Sequence, residues 1–236
     1  MKSTARLRVG VLLILIVVGL VSSLGTAWRT GDWEGLFLNL GTEMLGAVAT
    51  YVLLELFIGG RERREAKKAA LIAQMGSSVK DVAVAAAEEL ARHGWLYDGS
   101  LQGANLMEAN LQGASLNNAK LGGVRLTWAN LRWANLGGAN LQGAILTGAN
   151  LQEADLFEAN LQGVNLWVTN LQEANLDTAD LQGASLQKAN LQGANLEGAS
   201  FDENTRLPDG TKWTPDTDMA RFTDPDHPDF WQPDAG

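Results

Sequence analysis

Residues 141–170 read LQGAILTGANLQEADLFEANLQGVNLWVTN, and this stretch decides the fold. Leucine stands at 141, 146, 151, 156, 161 and 166, and the same beat runs from Leu96 to Leu196 with Phe201 in register. No insertion breaks it over that span. A period of five suits neither regular element. An α-helix advances about 100° per residue, so the leucines would be spread around it. A strand alternates faces, so an odd period would send successive leucines to opposite sides. A chain that bends once per five residues points every leucine at one axis.

The remaining positions agree. Two residues before the leucine stands Ala almost every time, as at Ala104, Ala109, Ala114 and Ala119, with Val124, Val164 and Thr169 as larger exceptions. The residue just before the leucine is usually Asn, Asp or Ser. The two residues after it are variable and mostly polar, often Gln-Gly. Leu and Ala are therefore expected inside and the other three positions outside, with Asn, Asp and Gly as the residues that tolerate turns and positive φ.

Tandem A-N-L-x-x from about Leu96 to Phe201 resembles the pentapeptide-repeat family. The resemblance implies an all-β solenoid: a right-handed quadrilateral β-helix with four pentapeptides, or twenty residues, per coil. Residues 101–200 would then make about five coils, a rod of ~25 Å at a strand spacing of ~4.8 Å. In that register Gln102, Gln142, Gln162 and Gln182 line up opposite Gln112, Gln152, Gln172 and Gln192. Asn110, Asn130, Asn150, Asn170 and Asn190 stack on one face, and Gly103, Gly123, Gly143, Gly163 and Gly183 at one corner. Stacked amides can hydrogen-bond along such a ladder.

Before the rod, residues 1–60 read as a transmembrane helical hairpin. Val9–Ala27 and Leu36–Ile58 are apolar runs of 19 and 23 residues, each long enough to cross ~30 Å of hydrocarbon, with helices expected over 9–27 and 36–58. Trp28 and Trp33 bracket the loop 28–35 and suit an interfacial belt. Lys2, Arg6 and Arg8 precede the first run, and Arg61, Arg63, Arg64, Lys67 and Lys68 follow the second, while the loop holds only Arg29. The positive-inside rule then places both termini and the rod on the cytoplasmic side of the cell inner membrane. A cleaved signal peptide ending near Gly25-Thr26-Ala27 is the alternative reading of the first run. Within the second run Asn39, Glu43 and Gly46 lie on one polar, small-residue stripe, expected to serve helix packing rather than transport.

Residues 61–93 read as a juxtamembrane amphipathic helix, interrupted at Gly76-Ser77-Ser78, whose second piece caps the first coil. Homodimerisation through this helix is the alternative. The rod follows over 94–201, and 202–236 form an irregular C-terminal cap with an acidic tail. Residues 1–93 carry 11 basic and 9 acidic groups, and residues 94–236 carry 7 and 18, a net of −11. Such a rod is not expected to bind nucleic acid directly.

No chemistry stands out. The chain has no Cys, and its two histidines, His93 and His227, match no closed metal site. No catalytic residue, metal ligand or cofactor site is expected, and the glycines follow the repeat rather than a phosphate loop. Outward aromatics are the better lead. Trp128 and Trp133 are expected on adjacent faces of the second coil as one patch, with Phe157 and Trp167 on later coils, as an interaction surface. The expected function is a membrane-tethered, non-catalytic scaffold for an unknown protein partner. Two alternatives stand beside it. Some pentapeptide-repeat proteins mimic DNA with an acidic rod and act on gyrase, which the resemblance and the charge bring in. A small membrane sensor or transport accessory using Glu43 is the other.

Overall fold

The computed structural model describes residues 34–233, with residues 10, 14, 16–18, 21, 22, 24–26 and 28–30 before them; of residues 34–41 and of 43 the backbone alone is described. The chain divides into two compact units, Met1–Lys67 and Lys68–Gly236.

In the first unit every described residue between 10 and 30 is helical. Residues 28–30, expected in a loop, are helical, and residues 31–33 of that expected loop lie outside the described residues. Helix α1 spans Glu34–Met75, beginning two residues before the expected run and continuing well past Ile58 through the charged segment. Nothing between Gly59 and Lys68 breaks it: Arg, Glu, Ala and Lys are good helix formers, and opposite charges alternate along it. Among the described residues one helix, over Met44–Met75, is long and apolar enough to cross a membrane. Leu45, Leu53, Leu56 and Phe57 on it are exposed.

The second unit is a four-sided coil. Parallel bridges join residues twenty apart in four ladders. Side 1 runs Asn105, Arg125, Ile145, Asn165, Ser185, Arg206; side 2 runs Asn110, Asn130, Asn150, Asn170, Asn190. Side 3 runs Ser115, Asn135, Asp155, Asn175, Asn195; side 4 runs Lys120, Asn140, Asn160, Asp180, Ser200. Each side contributes one bridged residue per coil and no continuous strand, because the chain turns again after five residues. Leu106 through Leu186 are buried at every fifth position, and the alanines two residues before them are buried from Ala109 onward.

The backbone satisfies its own donors at each repeat, which is what permits a chain of turns to have a dry core. In Leu151–Asp155, Leu151 N–H donates to Asn170 O at 2.7 Å and Glu153 N–H to Gln172 O at 2.9 Å, both on the next coil. Asp155 N–H donates to Ala134 O on the previous coil at 3.0 Å, and Ala154 N–H closes a turn onto Leu151 O at 3.0 Å. The fifth donor, Gln152 N–H, goes to Asn150 Oδ1 at 3.0 Å. The Asn before each leucine is thus there mainly as a side-chain acceptor for the turn, not for positive φ. Amide bonds along a ladder are fewer: Asn130 to Asn110 at 3.3 Å and Gln142 to Gln162 at 3.2 Å are two of them.

Positive φ falls instead two residues after the leucine, the second central residue of a type II turn. Gly occupies it at Gly143 and Gly163, but Glu153, Val168 and Thr178 hold φ of 56°, 58° and 55° there.

Both ends are covered. Leu71 and Met75 from the last turns of α1, and Ala83, Ala86, Ala87 and Leu90 from helix α2 (Lys80–Arg92), join the core with Trp95 and Leu96. Asn110 N–H, which has no coil below it, donates to Ser77 O at 2.8 Å, and Lys120 N–H to Leu96 O at 2.9 Å. The apolar face of α2 is therefore buried within its own chain. At the other end the beat slips by one residue: Arg206, not 205, pairs with Ser185, and Leu207 is buried in the place of a leucine at 206. Asp202 absorbs the extra residue by accepting from Gly183, Asn204 and Thr205 N–H at 2.8, 3.0 and 3.0 Å. Beyond it Trp213 stacks on Phe201, helix α3 (Ala220–Thr223) buries Phe222, and Gly193 N–H donates to Thr223 O at 2.7 Å.

Candidate functional site

The register sorts the outward aromatics by corner. Trp128 and Trp167 fall on the corner between sides 1 and 2, two coils apart, with Gly148 between them. Trp133 falls on the next corner, between sides 2 and 3, and Phe157 on the corner between sides 3 and 4. The structure therefore brings Trp128 and Trp167 to one edge, places Trp133 across side 2, and puts Phe157 on the opposite edge.

Trp128 lies flat over the next coil. A Cβ built on Gly148 would stand 2.3 Å from Trp128 Cε3 and Cζ3, so the ring covers the one position that lacks a side chain. Around it Trp128 is 57 % exposed, Trp167 43 %, and Ile145 and Val168 37 % each. Ile145 is the residue that sequence reading passed over. From Ser100 to Ser200 it is the one apolar residue where the repeat carries Asn, Asp, Ser or a base, and it sits beside this corner.

Trp133 is built into a polar cluster. The Arg132 guanidinium lies 4.1 Å from its ring centroid and donates from Nη2 to Glu153 Oε1 at 2.8 Å. Hydrogen bonds from Arg132 and then Trp133 hold the Glu153 carboxyl below its ordinary range. Twenty-one residues separate Arg132 from Glu153, so the pair is visible only once the coil length is known.

Charge is segregated as well. Glu153, Asp155, Glu158, Glu173, Asp177 and Glu197 gather on side 3 and the two corners flanking it. Side 1 carries no acid, and its corner with side 2 carries one, Glu108.

The other expected residues yield no chemistry. His93 stacks on Trp95 at 4.4 Å and meets Glu89 Oε1 at 3.1 Å; His227 meets Asp218 Oδ2 at 3.1 Å in the C-terminal cap. Among the described residues no group of His, Cys, Asp and Glu could hold a metal ion. Gly46 lies in α1, where Thr50 Oγ1 donates to its carbonyl at 2.8 Å. The side chains of Asn39 and Glu43 lie outside the described residues.

The profile of the pentapeptide repeats (8 copies) matches residues 96–127, 125–163 and 159–198. Solved structures with the same repeat include three relatives. Rfr23 from the cyanobacterium Cyanothece 51142 is 39 % identical over 40 % of this chain and 64 % of its own, with a TM-score of 0.40. A pentapeptide repeat protein from the Arabidopsis thaliana thylakoid lumen is 33 % identical over 45 % of this chain and 74 % of its own, TM-score 0.43. HetL from Nostoc sp. strain PCC 7120, involved in heterocyst differentiation regulation, is 37 % identical over 48 % and 59 %, TM-score 0.30. The chain thus spans less than two thirds of Rfr23 and HetL. No curated protein matches it. The chain belongs to the pentapeptide-repeat family, whose fold is the right-handed quadrilateral β-helix. Members of that family are generally non-enzymatic structural or interaction proteins.

Proposed function

We propose that this protein is a non-catalytic, membrane-tethered scaffold whose rod of about five coils is presented to a protein partner on the cytoplasmic side of the inner membrane. The observation that carries the reading is the exposed apolar edge where Trp128, Ile145, Trp167 and Val168 stand together, while Trp133 and Phe157 are exposed singly on other corners. Two spanning helices supply the tether in this reading. The length and apolar surface of α1 support the second of them, and the exposed Arg61, Arg63, Arg64 and Lys67 after it support a cytoplasmic rod. Regular coils with satisfied backbone donors make a stiff, chemically bland body, suited to holding a surface in place.

Protease added to sealed inner-membrane vesicles tests the topology; a rod digested from the periplasmic face sinks it. Proximity labelling from the rod in native membranes tests the scaffold role. A protein marked by the wild type and lost with Trp128→Gln supports it, and an identical labelling pattern from both chains overturns it.

The acidic side supports a second reading, an acidic regulator of a DNA-binding enzyme such as gyrase. Six carboxylates on side 3 and its two flanking corners make that part of the coil strongly negative. Gyrase supercoiling with and without the purified protein decides it: no effect at micromolar concentration removes the idea.

A further inference from the structure

We infer that the edge carrying Trp128 and Trp167 pairs two copies of this chain side by side and antiparallel. The inference deepens the scaffold reading, resting on it for this edge being a contact surface, and commits to a second copy as the occupant.

Three residues on this edge go against the local rules of the fold. Trp128 and Val168 hold φ of 59° and 58° where Gly is unstrained, and a β-branched side chain is the least suited to that region. Ile145 replaces the Asn that would accept from the N–H two residues on, as Asn150 does for Gln152. None of the three adds to the buried core, since all remain exposed. Non-Gly residues also hold positive φ on the other corners, as Trp133, Glu153 and Thr178 do, so what sets this edge apart is four exposed apolar side chains beside one another.

The edge is also self-complementary under a two-fold axis. Gly148 sits at its middle, with Glu108 two coils before it and Lys188 two coils after it, ~10 Å away on either side. Both are exposed, and among the described residues neither has an ion pair within the chain. An axis through Gly148, perpendicular to the coil stack, sets Glu108 of one copy against Lys188 of the other, twice over. Parallel pairing in register would set like charges together instead. Because Trp128 lies over Gly148, both rings would meet at the axis, flanked by Ile145 and Val168. That is an isologous contact with an apolar centre and a charged rim. The opposite side cannot pair this way, because its carboxylates repel one another.

The chain has no Cys, so introduced thiols report cleanly. Two tagged full-length copies are expressed together in native membranes, one with Glu108→Cys and the other with Lys188→Cys, and treated with a short bismaleimide. Mixed cross-links between the tags are expected, whereas cross-links of Glu108→Cys to itself in equal yield overturn the antiparallel arrangement. Thr147→Cys, beside the axis, is expected to cross-link to its own kind and Asp177→Cys, on the opposite edge, is not; equal yields overturn the choice of edge. Trp128→Gln lowers the Thr147→Cys yield about tenfold, the effect of losing a central aromatic contact. Glu108→Lys lowers it too, and Glu108→Lys with Lys188→Glu restores it, which a folding defect would not do. Absence of any Thr147→Cys dimer overturns the pairing. It leaves the scaffold reading intact wherever proximity labelling still marks a partner through Trp128.

Discussion

The Thr169 hydroxyl donates a 2.8 Å hydrogen bond to the Leu146 carbonyl inside the coil, where the repeat otherwise places Ala or Val. Thr205 does the same to Leu181 at 3.1 Å, one residue further along the chain because of the slip at Asp202. A polar side chain in the dry interior is tolerated because its one donor finds a carbonyl. Val124 and Val164 at the same position show that the space accepts a branched side chain. Thr169→Val therefore removes the bond while keeping the volume, and is expected to lower stability by about 0.5–1.5 kcal/mol. A urea midpoint equal to wild type would mean the hydroxyl contributes nothing.

Val168→Gly is expected to raise stability by roughly 1 kcal/mol, because it frees a β-branched residue from positive φ. Ile145→Asn is expected to add a smaller gain by supplying the missing acceptor for Thr147 N–H. Thermal unfolding of both variants checks this; a lower midpoint in either would show that its apolar side chain stabilises the monomer.

Gly148→Ala meets two obstacles, a φ of 65° and the Trp128 ring 2.3 Å from the new Cβ. The exposed indole can swing aside, so the lasting cost is the backbone's, about 1–2 kcal/mol. Indole fluorescence should shift in Gly148→Ala, and adding Trp128→Gln should recover little of the lost stability. Full recovery would place the cost in the ring instead.

Asp202 titrates with the fold. The Gly183 N–H, ahead of Asn204 and Thr205, holds its carboxyl below the ordinary range. A depressed folded-state pKa means that its contribution is fully present above the unfolded value of about 3.9. It is lost as pH falls through the lower folded-state value. Asp202→Asn should keep most of the geometry and flatten the acid limb of stability against pH. Asp202→Ala should loosen the last turn at every pH. An acid limb unchanged in Asp202→Asn would show that other carboxylates set it.

Much of this was legible in the chain. Leu and Ala at a five-residue beat are inside because no other placement gives the leucines from Leu96 to Leu196 a common axis, and the resemblance to the pentapeptide repeats implied four sides, with which the glycine and amide rhythm agrees. Less legible was why Asn precedes the leucine. It resembles a turn residue by type, yet its work is to accept one N–H, as Asn150 does for Gln152. The positive-φ column was hidden because Glu153, Val168 and Lys188 occupy it as well as Gly. The slip at Asp202 was invisible because Phe201 keeps the beat and Leu207 resumes it one residue late.

The period and the inward pair were determined by sequence alone, since side-chain volume and polarity repeat without interruption. Neighbourhood on the surface was decided only by the tertiary structure. A parallel ladder joins residues twenty apart, so Arg132 reaches Glu153, Trp128 covers Gly148, and Trp128 and Trp167 share an edge that Phe157 does not. Local propensity cannot express such contacts, because each depends on the length of a whole coil rather than on the residues beside it.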